Sequence, residues 1–338
     1  MTGVIILNLL GTVAALGQAQ PQQGCATVRT ALPWAKACVE ESAGLALAAN
    51  EATARTLLAE ARIGGQRFRD AFGREPARFV VFSYDDSALG TAGREAVRAL
   101  GFRAVLPLPS PALMGQQMAE AMRRFQAASG GGAVPRIERR EGGIRAGEPR
   151  GENHVAHELG HMWYTAAFWP AASPPTIPPT PRYGSPAPDW LDEAAAMLME
   201  NEAGARGYRQ MFADGRGADP ARAAAIPPEM PLSELTSMTH PAMAAMPAGA
   251  ASGPVRIITG RPSLLYAQAR VFADYLVDRS GNPRILAVVS EGLRDGGTLD
   301  AWLVADGAKN RLPTSLGAMQ ADWDGWLDQR FGPAEDAR

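Results

Sequence analysis

The chain has 338 residues, of which 46% are hydrophobic, enough for a packed core in one large domain or two smaller ones. Its 33 basic and 35 acidic residues give a formal charge of −2 and are spread along the chain. Because they form no basic stripe, the sequence argues against a nucleic-acid-binding protein.

Residues 1–19 have the character of a secretory signal peptide. Residues 4–17 form an uncharged, apolar stretch that is too short to span a bilayer comfortably. Small residues follow and favour cleavage after Ala19, although no Lys or Arg precedes the stretch. We therefore expect an exported protein, periplasmic or secreted, whose mature chain has no membrane span. A short buried or membrane-dipping helix is the alternative interpretation.

Cys25 and Cys38 are the only two cysteines. In an exported protein, a pair this close in sequence could close a local disulfide loop, and two unrelated thiols are the alternative. Because the chain has no cysteine cluster with metal-ligand spacing, any metal ion must be bound through nitrogen and oxygen.

Helices and strands alternate in the first half of the chain. Residues 43–72 are rich in Ala, Leu, Glu and Arg at helical spacing, which predicts a helix. Residues 78–84 and 102–109 are β-rich runs and predict two strands. We expect this part, residues 26–150, to form a small sheet with covering helices.

A second helix is predicted within residues 112–127, where apolar side chains recur at helical spacing. Such a stripe is typical of core packing. Its members are Met114, Met118, Met122 and Phe125. Residues 136–145 resemble an exposed hairpin around Gly142 and Gly143. Residues 151–331 are expected to be mainly helical, so the fold class predicted for the whole chain is α+β.

The segment HVAHELGH, residues 154–161, holds three of the four histidines in the chain. Asn153 is a suitable N-cap, and the following fifteen residues are compatible with a helix. His157 and His161 then project from the same face, one turn apart. This spacing lets two imidazoles bind one tetrahedral Zn²⁺. H-E-x-x-H is the zinc-peptidase motif, and its glutamate, Glu158 in this chain, serves as the general base.

The alternative is that these polar residues lie together on a surface helix by chance. The apolar segment MWYTAAFW at residues 162–169 indicates a buried helix instead. Unpaired imidazoles and a carboxylate would be unfavourable there unless a metal ion or hydrogen bonds compensated them. His154 is expected to start the helix or to support the site rather than to bind the metal.

A catalytic zinc site needs a third protein ligand and leaves the fourth position for water. The segment PDWLDEAAAMLMEN, residues 188–201, predicts a helix that begins at Pro188 and Asp189. Asp192 and Glu193 are the only charged residues in its apolar part. They point about 100° apart on a helix, so their roles cannot be equivalent.

HELGH followed by WLDEAAAMLMEN resembles the gluzincin metallopeptidases, most closely the peptidase MA-like domains and more distantly the aminopeptidases. The resemblance implies that His157, His161 and Glu193 bind one zinc ion per chain and that Glu158 is the base. It extends loosely through residues 263–281 and 315–327. It implies a zincin-like α+β fold and a peptide or protein substrate.

The chain departs from the family pattern in three places. Thirty-one residues separate His161 from Glu193, and a segment with eight prolines, residues 170–189, accounts for the excess over the aminopeptidases. The sequence LMEN at residues 198–201 is similar to an aminopeptidase element that belongs upstream of the zinc helix, so recognition of a substrate amine is not supported. Met197 stands where the thermolysin pattern has an aspartate that supports a histidine.

Tyr266 is the expected oxyanion donor, because this family often supplies a tyrosine from a helix after the glutamate ligand. A buried packing tyrosine is the alternative for Tyr266, and Tyr275 is expected in the core. His240 is a weaker candidate donor. These observations predict an exported zinc metallopeptidase. The alternative is a non-catalytic zinc-binding module on the same fold, although the presence of Glu158 favours the enzyme.

Overall fold

The computed structural model describes residues 23–128, 154–171, 185–216, 229–239 and 261–332. In chain order, the elements are α1 (Cys25–Ala31), β1 (Ala37–Glu41), β2 (Gly44–Ala48), α2 (Glu51–Phe72), β3 (Phe79–Tyr84), α3 (Ser87–Ala99), β4 (Ala104–Pro109), α4 (Pro111–Ala128), α5 (His154–Phe168), α6 (Asp189–Met197), α7 (Glu202–Arg216), α8 (Leu232–Ser237), α9 (Arg261–Ser280), α10 (Ile285–Leu293), α11 (Leu299–Trp302) and α12 (Leu316–Phe331). A π-helical turn (Leu303–Gly307) and a 3₁₀ turn (Ala308–Asn310) connect α11 to α12.

The four described strands form one mixed sheet in the order β1-β2-β3-β4. β1 and β2 are an antiparallel hairpin, in which Ala37 pairs with Ala48 and Glu41 with Gly44. β2, β3 and β4 are parallel to one another, and the helices α2 and α3 make the connections between them. A small sheet with many helices confirms the α+β fold class.

The two faces of the sheet contact two separate hydrophobic cores, because successive side chains of a strand point to opposite faces. Val80 and Phe82 of β3 face a small core that includes Val28 of α1 and Val97 of α3. Phe79 and Val81 face the main core, to which α2, α5 and most of the later helices contribute.

Trp163 of α5 fixes this helix against the main-core face of the sheet. Its ring lies 6.0 Å from that of Phe68 in α2 and 5.8 Å from that of Phe79 in β3. The indole N–H donates to the backbone oxygen of Ala77 at 2.9 Å. The helix that carries the histidine motif is therefore a buried part of the fold, as the sequence predicts.

Part of the helix predicted for residues 43–72 is wrong. Gly44–Ala48 form strand β2, and α2 begins only at Glu51, after Asn50, whose side chain accepts a hydrogen bond from the backbone of Thr53. All five residues of β2 are buried. Burial between two cores outweighs the helix propensity of Ala and Leu in this segment, since propensity differences are below about 1 kcal/mol per residue.

Strands β3 and β4 and helix α4 confirm the other elements predicted in the first half. Met114 and Met118 of α4 are only half-buried, so core packing is not confirmed for these two residues. The side chains of Met122 and Phe125 and the hairpin predicted for residues 136–145 lie outside the described residues.

Cys25 and Cys38 form a disulfide that joins α1 to β1, which settles the question that the sequence left open. The signal peptide predicted for residues 1–19 lies outside the described residues. Among the helices that the structure describes, none is long and apolar enough to cross a bilayer.

Candidate metal centre

Helices α5 and α6 pack against each other and bring the histidine motif of α5 beside the acidic residues of α6. α6 is completely buried, and its N-cap is Pro188, as the sequence predicts. The two helices approach each other closely at Gly160 of the HELGH segment, which lies directly against Ala196 of α6. This close approach places the side chain of Glu193 beside His157 and His161 of α5.

Three ligand atoms from these helices converge. Nε2 of His157 lies 3.3 Å from Nε2 of His161. Oε2 of Glu193 lies 3.6 Å from Nε2 of His157 and 3.8 Å from Nε2 of His161. The structure thus brings together the three side chains that the sequence predicts as ligands, and we call His157, His161 and Glu193 the ligand trio.

The dimensions of the ligand trio fit a small metal ion. With metal–ligand bonds of about 2.0–2.2 Å, tetrahedral coordination separates neighbouring ligand atoms by about 3.3–3.6 Å. The separations of 3.3, 3.6 and 3.8 Å come within about 0.2 Å of this range. Among the described residues, these three are the group whose ligand atoms lie close enough together to hold one ion.

Two buried carboxylates orient the imidazoles from behind. Nδ1 of His157 lies 2.8 Å from Oε1 of Glu200, and Nδ1 of His161 lies 3.1 Å from Oδ1 of Asp192. An Nδ1–H group that faces a carboxylate leaves the lone pair of Nε2 for a metal ion. Each histidine therefore presents the correct nitrogen to the centre of the trio.

The supporting roles of Asp192 and Glu200 could not be predicted from the sequence, in which Met197 stands at the position of the supporting aspartate in the thermolysin pattern. The support comes instead from the residue before the ligand Glu193 and from Glu200, which lies beyond the end of α6. One signal was available for Glu200: seven positions after Glu193, it falls on the same helical face. The glutamate of LMEN thus contacts a ligand histidine, and this contact gives no support to recognition of a substrate amine.

The trio binds protons tightly when no cation is bound. Burial by itself would lower the pKa of His161, but the carboxylates of Asp192 and Glu193 outweigh burial and raise the pKa to about 10. Burial raises the pKa of Glu193 to about 7, and the imidazoles of His161 and His157 offset this effect only in part. A metal ion at the centre of the trio would therefore displace protons.

Glu158 lies beside the trio without belonging to it. Its side chain is 37% exposed, whereas that of Glu193 is 1% exposed. Its carboxylate is close enough to raise the pKa values of both His157 and His161. Nδ1 of His154 lies 3.6 Å from Oε1 of Glu158. His154 thus starts α5, and its ring lies beside Glu158 rather than among the three converging ligand atoms.

Of the two candidate oxyanion donors, Tyr266 lies within the described residues and His240 does not. Tyr266 lies on α9, which packs against α6, and its half-buried side chain contacts the main core. Tyr275, on the same helix, is fully buried, as predicted. His240 and residues 172–184 of the proline-rich segment lie outside the described residues.

No protein-family model, curated protein or solved structure matches this chain.

Proposed function

We propose that the protein is an exported zinc metallopeptidase of the gluzincin type. The observation that carries the proposal is the convergence of Nε2 of His157, Nε2 of His161 and Oε2 of Glu193, with the partly exposed Glu158 beside them. This arrangement supports hydrolysis because it combines a metal site that can keep a water position with a carboxylate that can exchange protons.

The donor set favours zinc. Two imidazoles and one carboxylate are the ligands of the zinc ion in several metallopeptidases, in which the fourth position holds water. Sites in which zinc has only a structural role are usually closed by four protein ligands. Three described residues form the trio, so its composition supports a catalytic rather than a structural ion.

Each residue of the site has a different role in the proposed peptide hydrolysis. A bound zinc ion would polarise the peptide carbonyl and lower the pKa of water from about 15.7 to about 7. Glu158 accepts the proton of the attacking water and returns it to the nitrogen of the amide bond that breaks, so that an acid and an amine are released. Asp192 and Glu200 hold the imidazoles in place, and Tyr266 is the candidate donor to the developing oxyanion.

The proposed location is the periplasm or the exterior of the cell. The disulfide between Cys25 and Cys38 supports this part of the proposal, because disulfides persist mainly in oxidising compartments. The apolar, uncharged residues 4–17 are consistent with an export signal.

The test is a comparison of metal content and peptide cleavage in the purified protein. The wild type should contain about one zinc ion per chain and cleave a peptide library, and a chelator should abolish the cleavage. His161→Ala should lose most of the zinc. Glu158→Gln should keep the zinc but lose cleavage by several orders of magnitude, because Glu158 is not a ligand.

Glu95→Gln, which changes an exposed glutamate of α3, is the matched control and should retain both properties. Full zinc retention in His161→Ala would contradict the ligand assignment. A wild type that binds zinc but cleaves no peptide would favour the non-catalytic binding module instead.

A further inference from the structure

We infer that Tyr208 of α7 is a positioning residue of the metal centre, whose hydroxyl holds Glu200 in the orientation that fixes the imidazole of His157. The inference rests on the proposed zinc site and extends it to a helix that contributes no ligand. It concerns metal affinity and does not require that the bound ion be catalytic.

The geometry forms a continuous chain of hydrogen bonds from α7 to the ligand trio. The hydroxyl of Tyr208 donates to Oε1 of Glu200 at 3.0 Å. The same oxygen lies 2.8 Å from Nδ1 of His157, whose Nε2 faces His161 and Glu193. A rotation of the Glu200 carboxylate would therefore turn the imidazole of His157 away from the centre.

Glu200 needs such a donor because of its position. It lies past the end of α6, so the helix does not fix its side chain, and only 8% of the residue is exposed. A buried acceptor that loses one of its donors is destabilised and gains freedom to reorient. The hydroxyl of Tyr208 can fill this role permanently, since burial, followed by the charge of Glu200, raises its pKa and keeps it protonated.

The helix that carries Tyr208 is itself fixed relative to the ligands. The next residue, Arg209, donates to both carboxylate oxygens of Asp274 in α9, at 2.7 and 3.1 Å. Arg270 of α9 donates to Asp274 at 3.1 Å and to the backbone oxygen of Met197, the last residue of α6, at 3.2 Å. These buried and part-buried contacts connect α7 through α9 to the helix of Glu193, so Tyr208 is held by packed helices rather than by a loop.

A structural role alone would also explain a buried tyrosine, so the experiment needs a matched control. Tyr275→Phe supplies it. Tyr275 is likewise buried and donates its hydroxyl to a carboxylate, that of Asp322 in α12, at 2.8 Å. Both substitutions remove one hydroxyl and one hydrogen bond to an acidic residue, but only Tyr208 is connected to a ligand histidine.

The measurement is the zinc dissociation constant, obtained by competition with a chromophoric chelator at a temperature where all variants are folded. Mutation of groups that support a metal ligand typically weakens binding by about 10–100-fold. Tyr208→Phe should raise the dissociation constant by about tenfold, the lower end of this range, because Tyr208 contacts Glu200 and not the ligand histidine itself. Tyr275→Phe should leave the constant within about twofold of the wild type, as expected for changes away from the site.

A double mutant tests whether Tyr208 acts through Glu200. In a Glu200→Ala background, Tyr208→Phe should raise the dissociation constant no further, because its effect passes through Glu200. An unchanged constant in Tyr208→Phe, an equal change in Tyr275→Phe, or full additivity with Glu200→Ala would each overturn this inference while leaving the proposed function intact. A wild type that binds no zinc would overturn the proposed function as well.

Discussion

Gly160 of α5 lies so close to Ala196 of α6 that a β-carbon at position 160 would come within 2.9 Å of the Ala196 Cα atom. The Cγ atom of Met199 would lie at the same distance. Separations below 3.0 Å are essentially never adopted by real β-carbons, so any side chain at position 160 must push the two helices apart. Since the trio takes its ligands from both helices, Gly160 sets the distance between the histidines and Glu193.

We expect Gly160→Ala to lower both stability and zinc affinity. Overpacking of this kind costs about 1–3 kcal/mol, and the displacement of α6 should weaken zinc binding by about tenfold. Urea unfolding and chelator competition would measure the two effects. Gly325→Ala in α12 is the control, because nothing lies within 4 Å of its β-carbon position. It should be neutral or stabilise by about 0.5–1 kcal/mol. Wild-type affinity in Gly160→Ala would show that helix spacing does not govern the site.

Zinc affinity should rise with pH. At neutral pH, a zinc ion must displace the proton of His161, whose pKa is raised to about 10, and below about pH 7 also the proton of Glu193. Each displaced proton makes the apparent affinity increase about tenfold per pH unit. Titrations between pH 6 and pH 9 would measure the slope, and an affinity that is independent of pH would contradict the displacement of protons.

The metal-free protein should show the opposite trend in stability. The pKa of His161 is raised in the folded state, so its contribution is fully present below the unfolded value of about 6.5 and is lost as pH rises towards about 10. The raised pKa of Glu193 acts in the same direction between about 4.5 and about 7. Chelator-treated protein should therefore have a lower melting temperature at pH 9 than at pH 6, and added zinc should reverse the difference. A higher melting temperature at pH 9 without metal would contradict the raised pKa values of His161 and Glu193.

Removal of the disulfide should destabilise the fold without emptying the metal site. Cys25 and Cys38 are 13 positions apart, and closing a loop of this size stabilises a protein by about 3 kcal/mol. The disulfide borders the small core, whereas the ligand helices belong to the main core on the opposite face of the sheet. The double variant Cys25→Ser, Cys38→Ser should unfold at lower urea concentration but retain its zinc below the transition. Zinc loss from the folded variant would show that the two faces are coupled.

Tyr266→Phe should lower the turnover number by about 10²–10³-fold if the hydroxyl donates to the oxyanion, with little change in zinc content. Peptide cleavage and metal analysis of the same preparation would separate the two quantities, and Tyr275→Phe, a core tyrosine of the same helix, should cleave normally. Normal cleavage by Tyr266→Phe, with a stability loss of only about 1 kcal/mol, would identify a packing tyrosine instead.

The histidine helix and its spacing could be predicted from the sequence alone. Residues 154–168 form a helix in which His157 and His161 lie on one face, because helical pitch is a local property that four successive positions determine. The start of α6 at Asp189 follows from equally local signals, Pro188 and the first-turn carboxylates. The choice of Glu193 over Asp192 came from a resemblance to a family, and the structure places Glu193 in the trio and Asp192 behind His161.

Only the tertiary structure decided the contacts that join distant segments. Strand β2 forms because burial between two cores outweighs the helix propensity of the Leu and Ala residues in Gly44–Ala48. The pairing of His157 with Glu200 spans 43 positions, and Tyr208 reaches the same carboxylate from another helix. Such contacts depend on how closely α5, α6 and α7 pack. The residue pattern within a single helix does not predict that packing. The candidate ligand atoms are therefore predictable from local pitch and family resemblance, whereas the buried carboxylates behind the imidazoles are a product of helix packing.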